Sequence, residues 1–531
     1  MVNAIINSVS KGKEEPCDIA IYDIMKAFDS LWAQDCLNDL FDVGCDNDKL
    51  ALLELGTKNA KIAMKTSKGI TERISIKNII MQGTVSAGIK CTTSIDKLSK
   101  IAYENKPLLY IYKGVEVPPL GMVDDILSIS KCSAQSTAMN ATINTFVESK
   151  KLTLKQNKCS VIHVGKESVC PELRVHNNKM HKEDSGTYLG DIIHKSGKVS
   201  HNINQRCIKA FSILPEIRAI MQDVPLGKYK VKIGLQLRQA MFLNGVLYNS
   251  EVWHSPTKED ISKLEVIDHQ LMRAIFDAHS KTPIEFLYLE TSEKPLSYII
   301  SSRRLMYWHH INQKEDNELV KKVFKAQHEN PTRGDFSDLV NKDMEMLGTN
   351  IDENILLNLN KAQFKTFIKK HINEASFKHL KSLQKKHTKI RNISYNEYKS
   401  QPYISDTKFS NKMVSVLFSM RSSMTRGIKN NFSSLYVGNK TCPLLECKSQ
   451  TEDDQPHLLT CFALKTHLSQ PEQVQLSNIL YNDIFGPIEK QREAAQILTR
   501  LLGIREELLQ EDSLPVDQTW NLSKSLHRRG F

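Results

Sequence analysis

The stretch DIAIYDIMKAFD at residues 18–29 decides the fold of the N-terminal part of this chain. Its first five residues, DIAIY, are typical of a short buried β-strand. Apolar residues then recur at helical spacing until Gly44: Ile24, Phe28, Leu31, Leu37 and Leu40. The sequence therefore predicts a strand followed by a helix, with the carboxylate of Asp23 at their junction.

A second acidic feature is the pair Asp124-Asp125, which separates the apolar runs at residues 120–123 and 126–130. This pattern predicts two strands joined by a tight turn that carries both carboxylates. Asp-Asp is also common in solvent-exposed turns, which is the ordinary alternative. If the fold brings Asp23 beside this turn, the oxygen ligands suit two Mg²⁺ ions that stabilise the attacking and leaving oxygens of phosphoryl transfer.

The composition is that of a folded globular protein. The 531 residues are 40% hydrophobic and 25% charged, which excludes a largely disordered chain. No run approaches the roughly 20 apolar residues of a membrane span, and we expect no secretory signal at the start. The eleven cysteines favour reduced thiols in an intracellular compartment over a disulfide scaffold. The formal net charge of +12 favours a polyanionic partner.

Short apolar runs alternate with helical patterns in the first third of the chain, and the pattern is mostly helical after about residue 200. We therefore expect an α+β N-terminal domain, a helical middle, a basic helical segment and a small cysteine-bearing C-terminal part. The predicted domain ranges are 1–195, 196–330, 331–435 and 436–531.

Five motifs in order resemble the palm of a non-LTR (LINE-like) retrotransposon reverse transcriptase: DIMKAFD (23–29), MQGTVSAG (81–88), MVDD (122–125), LTLKQNKC (152–159) and TYLG (187–190). The resemblance implies a right-hand polymerase palm, with an antiparallel sheet and packed helices, followed by a helical thumb and a mostly helical C-terminal region. It also implies RNA-directed DNA polymerase activity of a transposable element, with an RNA template, a DNA primer and dNTPs as partners.

The same resemblance assigns roles to residues of the palm. Asp23, Asp124 and Asp125 would hold two Mg²⁺ ions, with Asp23 and Asp124 preferred for direct ligation. Phe28 would exclude a 2′-hydroxyl beneath the sugar of the nucleotide, although it also falls on the apolar face of its predicted helix. Lys158 would neutralise or protonate the pyrophosphate leaving group.

Gln82 and Gly83 would contact the incoming nucleotide and the template strand, since Gly permits close backbone approach. The chain departs from the family pattern at Met122-Val123, where Tyr-Ala or Phe-Ala is usual. Only 22 residues precede Asp23, so we expect the fingers strands that supply cations to the triphosphate to be largely missing through N-terminal truncation.

A C-terminal cluster has the spacing Cys442-x4-Cys447-x9-His457-x3-Cys461. Four soft ligands within twenty residues fit one structural tetrahedral Zn²⁺, and similar zinc knuckles occur near the C-terminus of non-LTR elements. The alternative is that the three thiols and the imidazole line a small core.

Residues 361–400 carry eleven Lys or Arg against two Glu, a net charge of +9, with five interleaved aromatic residues. A solvated helix face is the ordinary explanation of such a run. The combination also fits a surface that follows a nucleic-acid strand, because cations neutralise phosphates and rings stack on bases. Lys385-Lys386 suggests a nuclear localisation signal, so we expect an intracellular protein of the nucleus with a cytoplasmic phase.

The function expected from these features is two-metal nucleotidyl transfer from a dNTP to a primer 3′-hydroxyl, copied from RNA. One alternative is a catalytically inactive, element-derived protein that binds RNA or DNA. Another is a polymerase like those of group II intron maturases or telomerase, which would keep the chemistry but change the biology.

Overall fold

The strand predicted at residues 18–22 is the centre of a five-stranded sheet. The computed structural model describes residues 1–511 apart from 57, 59, 76–85, 166–170, 349–352, 426–427, 429–440 and 448–450. In this part of the chain, no helix is long and apolar enough to cross a membrane.

The strands, in chain order, are β1 (Cys17–Asp23), β2 (Lys61–Ile62), β3 (Lys65–Thr66), β4 (Gly69–Ile70), β5 (Ile74–Ser75), β6 (Tyr110–Tyr112), β7 (Val115–Val117), β8 (Leu120–Met122), β9 (Asp125–Ser130), β10 (Ser160–Val164), β11 (Arg174–Val175), β12 (Asn178–Lys179), β13 (His181–Lys182), β14 (Ser185–Tyr188) and β15 (Asp191–His194).

The α-helices, in chain order, are α1 (Val2–Ser10), α2 (Ala27–Ser30), α3 (Ala33–Asp42), α4 (Asn47–Leu55), α5 (Ala87–Glu104), α6 (Ser133–Ser149), α7 (Ser200–Met221), α8 (Lys228–Leu237), α9 (Asn244–Val246), α10 (Lys258–Ile275), α11 (Ile284–Thr291), α12 (Leu296–Asn312), α13 (Leu319–Glu329), α14 (Phe336–Leu347), α15 (Glu353–Leu357), α16 (Lys361–Gln384), α17 (Pro402–Ser405), α18 (Asn411–Arg421), α19 (Gln455–Thr460), α20 (Phe462–Lys465), α21 (Gln470–Ser477) and α22 (Ile488–Glu511).

The strand order in the main sheet is β13-β10-β1-β9-β8. β1 pairs antiparallel with both β9 and β10, and β8 pairs antiparallel with β9, whereas β13 joins β10 in parallel. Side chains alternate between the two faces of a strand. Ala20 and Tyr22 of β1 face one apolar cluster with α5 and α6, and Ile19 and Ile21 face another with α1 and β6. Both faces are covered, which explains why DIAIY is apolar without alternation.

The chain divides into two compact units. The first contains the sheet and comprises Met1–Gln205, Asn249–Asp260 and Arg303–Lys365; the second comprises Arg206–Tyr248, Ile261–Ser302 and the described part of Thr366–Phe531. Each unit therefore draws on more than one of the four predicted domain ranges, and the division into four domains stays a prediction.

The second unit is mostly helical and is held together in part by buried ion pairs. Arg238 donates to both carboxylate oxygens of Asp268 at 2.7 Å. Arg421 donates to Glu290 at 2.8 Å, and all four groups are buried. Removing one partner of such a pair leaves an uncompensated buried charge, so these contacts fix which helices pack together.

The α+β architecture and the antiparallel palm-type sheet are confirmed, but local details differ from the prediction. The single helix expected over residues 24–40 is two helices, α2 and α3, because Leu31 and Trp32 adopt extended backbone. The nested hairpin formed by β2 to β5 was not predicted, and its ladder residues are exposed.

Candidate active site and metal centre

Asp23, Asp124 and Asp125 lie near one another, where β1 ends and the β8–β9 hairpin turns. Asp23 is the last residue of β1 and lies directly opposite Asp125, the first residue of β9. Such a pair projects from one side of a sheet with Cβ atoms about 4.5–5.5 Å apart. Asp124 occupies the turn, and its carbonyl accepts a hydrogen bond from the Ile24 N–H at 2.8 Å. The structure thus brings together the three aspartates that the sequence singled out.

The electrostatics of this cluster favour a cation. Burial raises the pKa of Asp125, and the negative charges of Asp124 and Asp23 raise it further, while Lys158 lowers it. Like charges placed directly across a ladder destabilise a sheet, and close carboxylates resist ionising together. The three carboxylates supply hard oxygen ligands of the type that Mg²⁺ prefers, and a bound cation would relieve their mutual repulsion.

Lys158 reaches these carboxylates with its ammonium group. Its ammonium group donates to Asp23 Oδ2 at 2.8 Å, and this hydrogen bond raises the pKa of Lys158. The segment is held close because the Lys155 N–H donates to the Asp23 carbonyl at 2.8 Å. The side chain of Lys158 is 55% exposed and that of Asp23 only 15%, so the ammonium group is free to exchange partners with a bound phosphate.

The hairpin turn contains features that the sequence interpretation missed. Val123 has a φ of 61°, a left-handed conformation that is costly for a β-branched residue. The Cys91 thiol of α5 donates to its carbonyl at 3.5 Å. A Cβ placed on Gly121 would lie 2.5 Å from Cγ2 of Ile95, so this strand needs glycine to pack against α5. A glycine inside a strand pattern was the available signal for that close approach.

The predicted nucleotide-contacting residues have different outcomes. Phe28 lies on α2, half-buried, and packs against the same apolar cluster as Ala20 and Tyr22. Its position is therefore explained by packing, and its role as a sugar gate stays a prediction. Gln82 and Gly83 lie outside the described residues.

The second unit contains a compact group of soft ligands near the end of the chain. One ligand atom each from Cys442, Cys447, His457 and Cys461 lies within 4.8 Å of all the others. The Cys442 and Cys461 sulfurs are 4.0 Å apart, and the Cys447 sulfur is 3.4 Å from His457 Nε2. Tetrahedral zinc with Zn–S bonds of about 2.3 Å places sulfurs about 3.8 Å apart. In the described part of the chain, no other group of three or more such residues is as compact.

Neighbouring residues orient these ligands. Thr451 Oγ1 lies 2.9 Å from His457 Nδ1, which leaves Nε2 directed toward the sulfurs. A contact of this kind fixes the tautomer and the ring of a metal-binding histidine. Asp454 caps α19 by accepting from the His457 N–H at 2.8 Å. The hydrogen bond from Cys461 lowers the pKa of the Cys442 thiol below its ordinary value. The four predicted ligands therefore fit a bound zinc ion.

The basic segment begins with the long helix α16. Its buried residues recur every four positions, which leaves much of its surface to solvent: Phe364, Ile368, Ile372, Ser376, Leu380 and Gln384. Nine lysines of the segment are exposed, and six of them are these: Lys365, Lys369, Lys370, Lys378, Lys385 and Lys386. None of these six makes an ion pair with any residue that the structure describes, so their charges are available to an external anion.

Residues 6–193 match the family described as reverse transcriptase (RNA-dependent DNA polymerase). Apo telomerase from Candida tropicalis is similar at 12% identity with a TM-score of 0.29, covering 61% of this chain and 55% of that one. Telomerase from Candida albicans in complex with a TWJ fragment of telomeric RNA is similar at 12% identity with a TM-score of 0.30, covering 69% and 54%. Comparison with the curated proteins gave no match.

A C-terminally truncated apo telomerase from Candida tropicalis is similar at 14% identity with a TM-score of 0.27, covering 37% of each chain. The chain thus spans between about a third and a little over half of the length of these solved structures. The family match contains the whole five-stranded sheet, the three carboxylates and Lys158. Residues 6–193 are therefore similar in sequence to RNA-dependent DNA polymerases.

Proposed function

We propose that the chain is the RNA-directed DNA polymerase of a non-LTR, LINE-like retrotransposon. The observation that carries the proposal is the cross-strand pair Asp23 and Asp125, with Asp124 on the adjoining turn, within the segment that matches the reverse transcriptase family. The non-LTR assignment is supported by the order of the five palm motifs and by the C-terminal Cys/His group.

Asp23 and Asp124 are the proposed direct ligands of two Mg²⁺ ions, with Asp125 contributing negative charge beside them. Bound Mg²⁺ would supply charge stabilisation to the attacking 3′-oxygen and to the pyrophosphate oxygen that leaves. The protein's own part is to hold mutually repulsive carboxylates in place. It does so through the β1–β9 ladder and the Ile24–Asp124 backbone hydrogen bond.

In the proposed reaction, the primer 3′-oxygen bonds to the α-phosphorus of a dNTP while the bond from that phosphorus to the pyrophosphate oxygen breaks. Lys158 stabilises the leaving group through the positive charge that its ammonium group carries at neutral pH. Its ammonium group must leave Asp23 to do so, and its exposed side chain permits the exchange.

Nucleotide selection is proposed to involve Phe28, Gln82 and Gly83. Phe28 would reject a 2′-hydroxyl by steric exclusion, because its ring would leave no room for that group. Gln82 and Gly83 would contact the incoming nucleotide and the template.

The partners proposed for the chain are an RNA template and a DNA primer. The unpaired lysines of α16 and the following residues supply the cationic surface, and Zn²⁺ held by Cys442, Cys447, His457 and Cys461 supplies a structural knuckle. Lys385-Lys386 supports a nuclear location, with a cytoplasmic phase for assembly with RNA.

Primer extension on an RNA template with Mg²⁺ and dNTPs tests the polymerase proposal. The expected result is extension by the wild-type chain, loss of extension in Asp23→Asn, and unchanged extension in Asp96→Asn, an exposed carboxylate of α5. Extension that persists in Asp23→Asn would contradict the assignment of the metal ligands.

A catalytically inactive, element-derived RNA- or DNA-binding protein is the second candidate. The exposed lysines of α16 favour it, because they would bind phosphates whether or not the carboxylates are functional. Tight binding that weakens with salt, without extension by the wild-type chain under any divalent cation, would establish this candidate instead.

A further inference from the structure

A buried ion pair adjoins the Cys/His group of the C-terminal unit. Arg505 of α22 donates from Nη2 to Oδ1 and Oδ2 of Asp453 at 2.8 and 2.9 Å. Nη1 of the same guanidinium lies 3.9 Å from the Cys442 sulfur. Asp453 is completely buried and Arg505 is 2% exposed. The guanidinium group thus contacts the Asp453 carboxylate through Nη2, and its Nη1 faces the sulfur of Cys442, a proposed zinc ligand.

We infer that Arg505 is a positioning residue of the metal centre, which donates an N–H···S hydrogen bond to the Cys442 thiolate and fastens α22 to the metal-binding loop. The inference rests on the zinc site of the proposed function. It concerns the residues around the metal and is independent of the polymerase chemistry.

The loop that carries Asp453 explains why the pair positions ligands. Asp453 lies between Cys447 and His457 in the chain, and the next residue, Asp454, caps the helix that presents His457. A movement of Asp453 would therefore move the start of α19, which carries His457. Because the Arg505–Asp453 pair is desolvated, breaking it leaves a buried charge without a partner, and the loop is held firmly.

The guanidinium group of Arg505 would also stabilise negative charge at the metal centre. Zn²⁺ with three thiolates and a neutral imidazole carries one net negative charge, spread over the sulfurs. An N–H donor directed at one sulfur stabilises that charge where water has little access. The structure assigns this donor to Arg505, because Nη1 remains directed at Cys442 while Nη2 contacts Asp453.

The arrangement couples metal binding to the order of the C-terminal helix. Metal-binding free energy at a structural zinc site is folding free energy for the segments that it joins. Since Arg505 is on α22 and Asp453 precedes α19, loss of zinc should increase local unfolding of both segments. Amide hydrogen exchange in α22 should therefore increase when zinc is removed from the wild-type chain.

The test uses the full-length chain and measures zinc affinity by chelator competition in wild type, Arg505→Met, Arg505→Lys and Arg500→Met. Arg500 is the matched control, since it lies on the same helix but is half-exposed and pairs with Glu472 at 3.5 Å. Loss of an outer-shell partner typically weakens metal binding by about 10–100-fold. We expect that loss in Arg505→Met, partial recovery in Arg505→Lys and no change in Arg500→Met.

Co²⁺ substitution provides the readout that a merely structural role would not change. Removing a hydrogen bond from a thiolate makes its electrons easier to transfer, so the thiolate-to-cobalt absorption of Arg505→Met should shift to longer wavelength. The bands that report tetrahedral geometry should stay in place. If Arg505→Met does not fold, Asp453→Asn replaces it and should show a smaller shift and a smaller loss of affinity.

Zinc affinity and cobalt absorption that are unchanged in Arg505→Met, or in Asp453→Asn where that variant replaces it, would overturn the inference while leaving the metal site intact. Absence of zinc and cobalt binding by the wild-type chain would overturn both the site and the inference. Neither result affects the polymerase proposal, which primer extension decides separately.

Discussion

Replacing Asp125 by Asn should stabilise the metal-free protein and weaken its response to magnesium. Asp125 lies directly opposite Asp23 in the ladder and beside Asp124, and burial and both charges raise its pKa. A raised pKa in the folded state means that the ionised carboxylate opposes folding at neutral pH. Removing a like-charge cross-strand pair should raise the free energy of unfolding by about 0.2–1 kcal/mol, which raises the Tm of a domain of this size by at most about 4 °C.

Magnesium should reverse the order of stability. A ligand that binds only the folded protein stabilises it by about 2.7 kcal/mol at one hundred times its dissociation constant. The wild-type chain should gain more than Asp125→Asn, because the variant has lost one negative charge of the site. Thermal unfolding at a fixed scan rate, with zinc present and magnesium either absent or in excess, should therefore show Asp125→Asn higher without magnesium and wild type higher with it.

Acidification should remove the stability advantage of Asp125→Asn. The penalty of ionised Asp125 is fully present above its raised pKa and disappears as pH falls through that value toward the ordinary 3.8. The advantage of Asp125→Asn should therefore be largest near neutral pH and shrink at acidic pH. Asp96→Asn, on the exposed surface of α5, should show neither effect. An Asp125→Asn variant less stable than wild type at neutral pH without magnesium would refute the reasoning.

Other expected outcomes concern packing, nucleotide choice and nucleic-acid binding. Gly121→Val should lower the free energy of unfolding by about 1–3 kcal/mol in denaturation experiments, because its side chain meets Ile95; unchanged stability would contradict this close approach. Phe28→Val should admit ribonucleotides in incorporation assays, and unchanged discrimination would remove its role as a sugar gate. Replacing Lys365, Lys369 and Lys370 of α16 by Gln should reduce the slope of log K against log[salt] for duplex DNA binding by about 0.9 for each phosphate that is no longer neutralised. An unchanged slope would show that the nucleic acid binds elsewhere.

The central strand and the acidic hairpin could be predicted because short-range patterns determine them. The four residues after Asp18 in DIAIY are all apolar, which suits a strand covered on both faces. Asp124 and Asp125 separate two apolar runs, which indicates a turn between two strands. The four soft ligands were also visible, since metal sites depend on chemical type and spacing. In each case a local signal in the sequence was sufficient.

The remaining features depend on contacts between distant residues. The Lys158–Asp23 pair joins residues 135 positions apart, and the Arg505–Asp453 pair joins residues 52 positions apart. Nothing near either residue in the sequence indicates its partner. The break between α2 and α3 was missed because helical spacing continues through Leu31, while the backbone there is extended.

The proposed two-metal site is tested most directly by single-nucleotide incorporation opposite an RNA template by wild type and Asp124→Asn as Mg²⁺ is titrated. Asn keeps the size of the side chain but removes the charge that a divalent cation requires. We predict incorporation by wild type that rises with Mg²⁺ and a loss of at least about 100-fold, or about 2.7 kcal/mol, in Asp124→Asn at every Mg²⁺ concentration. Incorporation by Asp124→Asn at the wild-type rate would contradict the account.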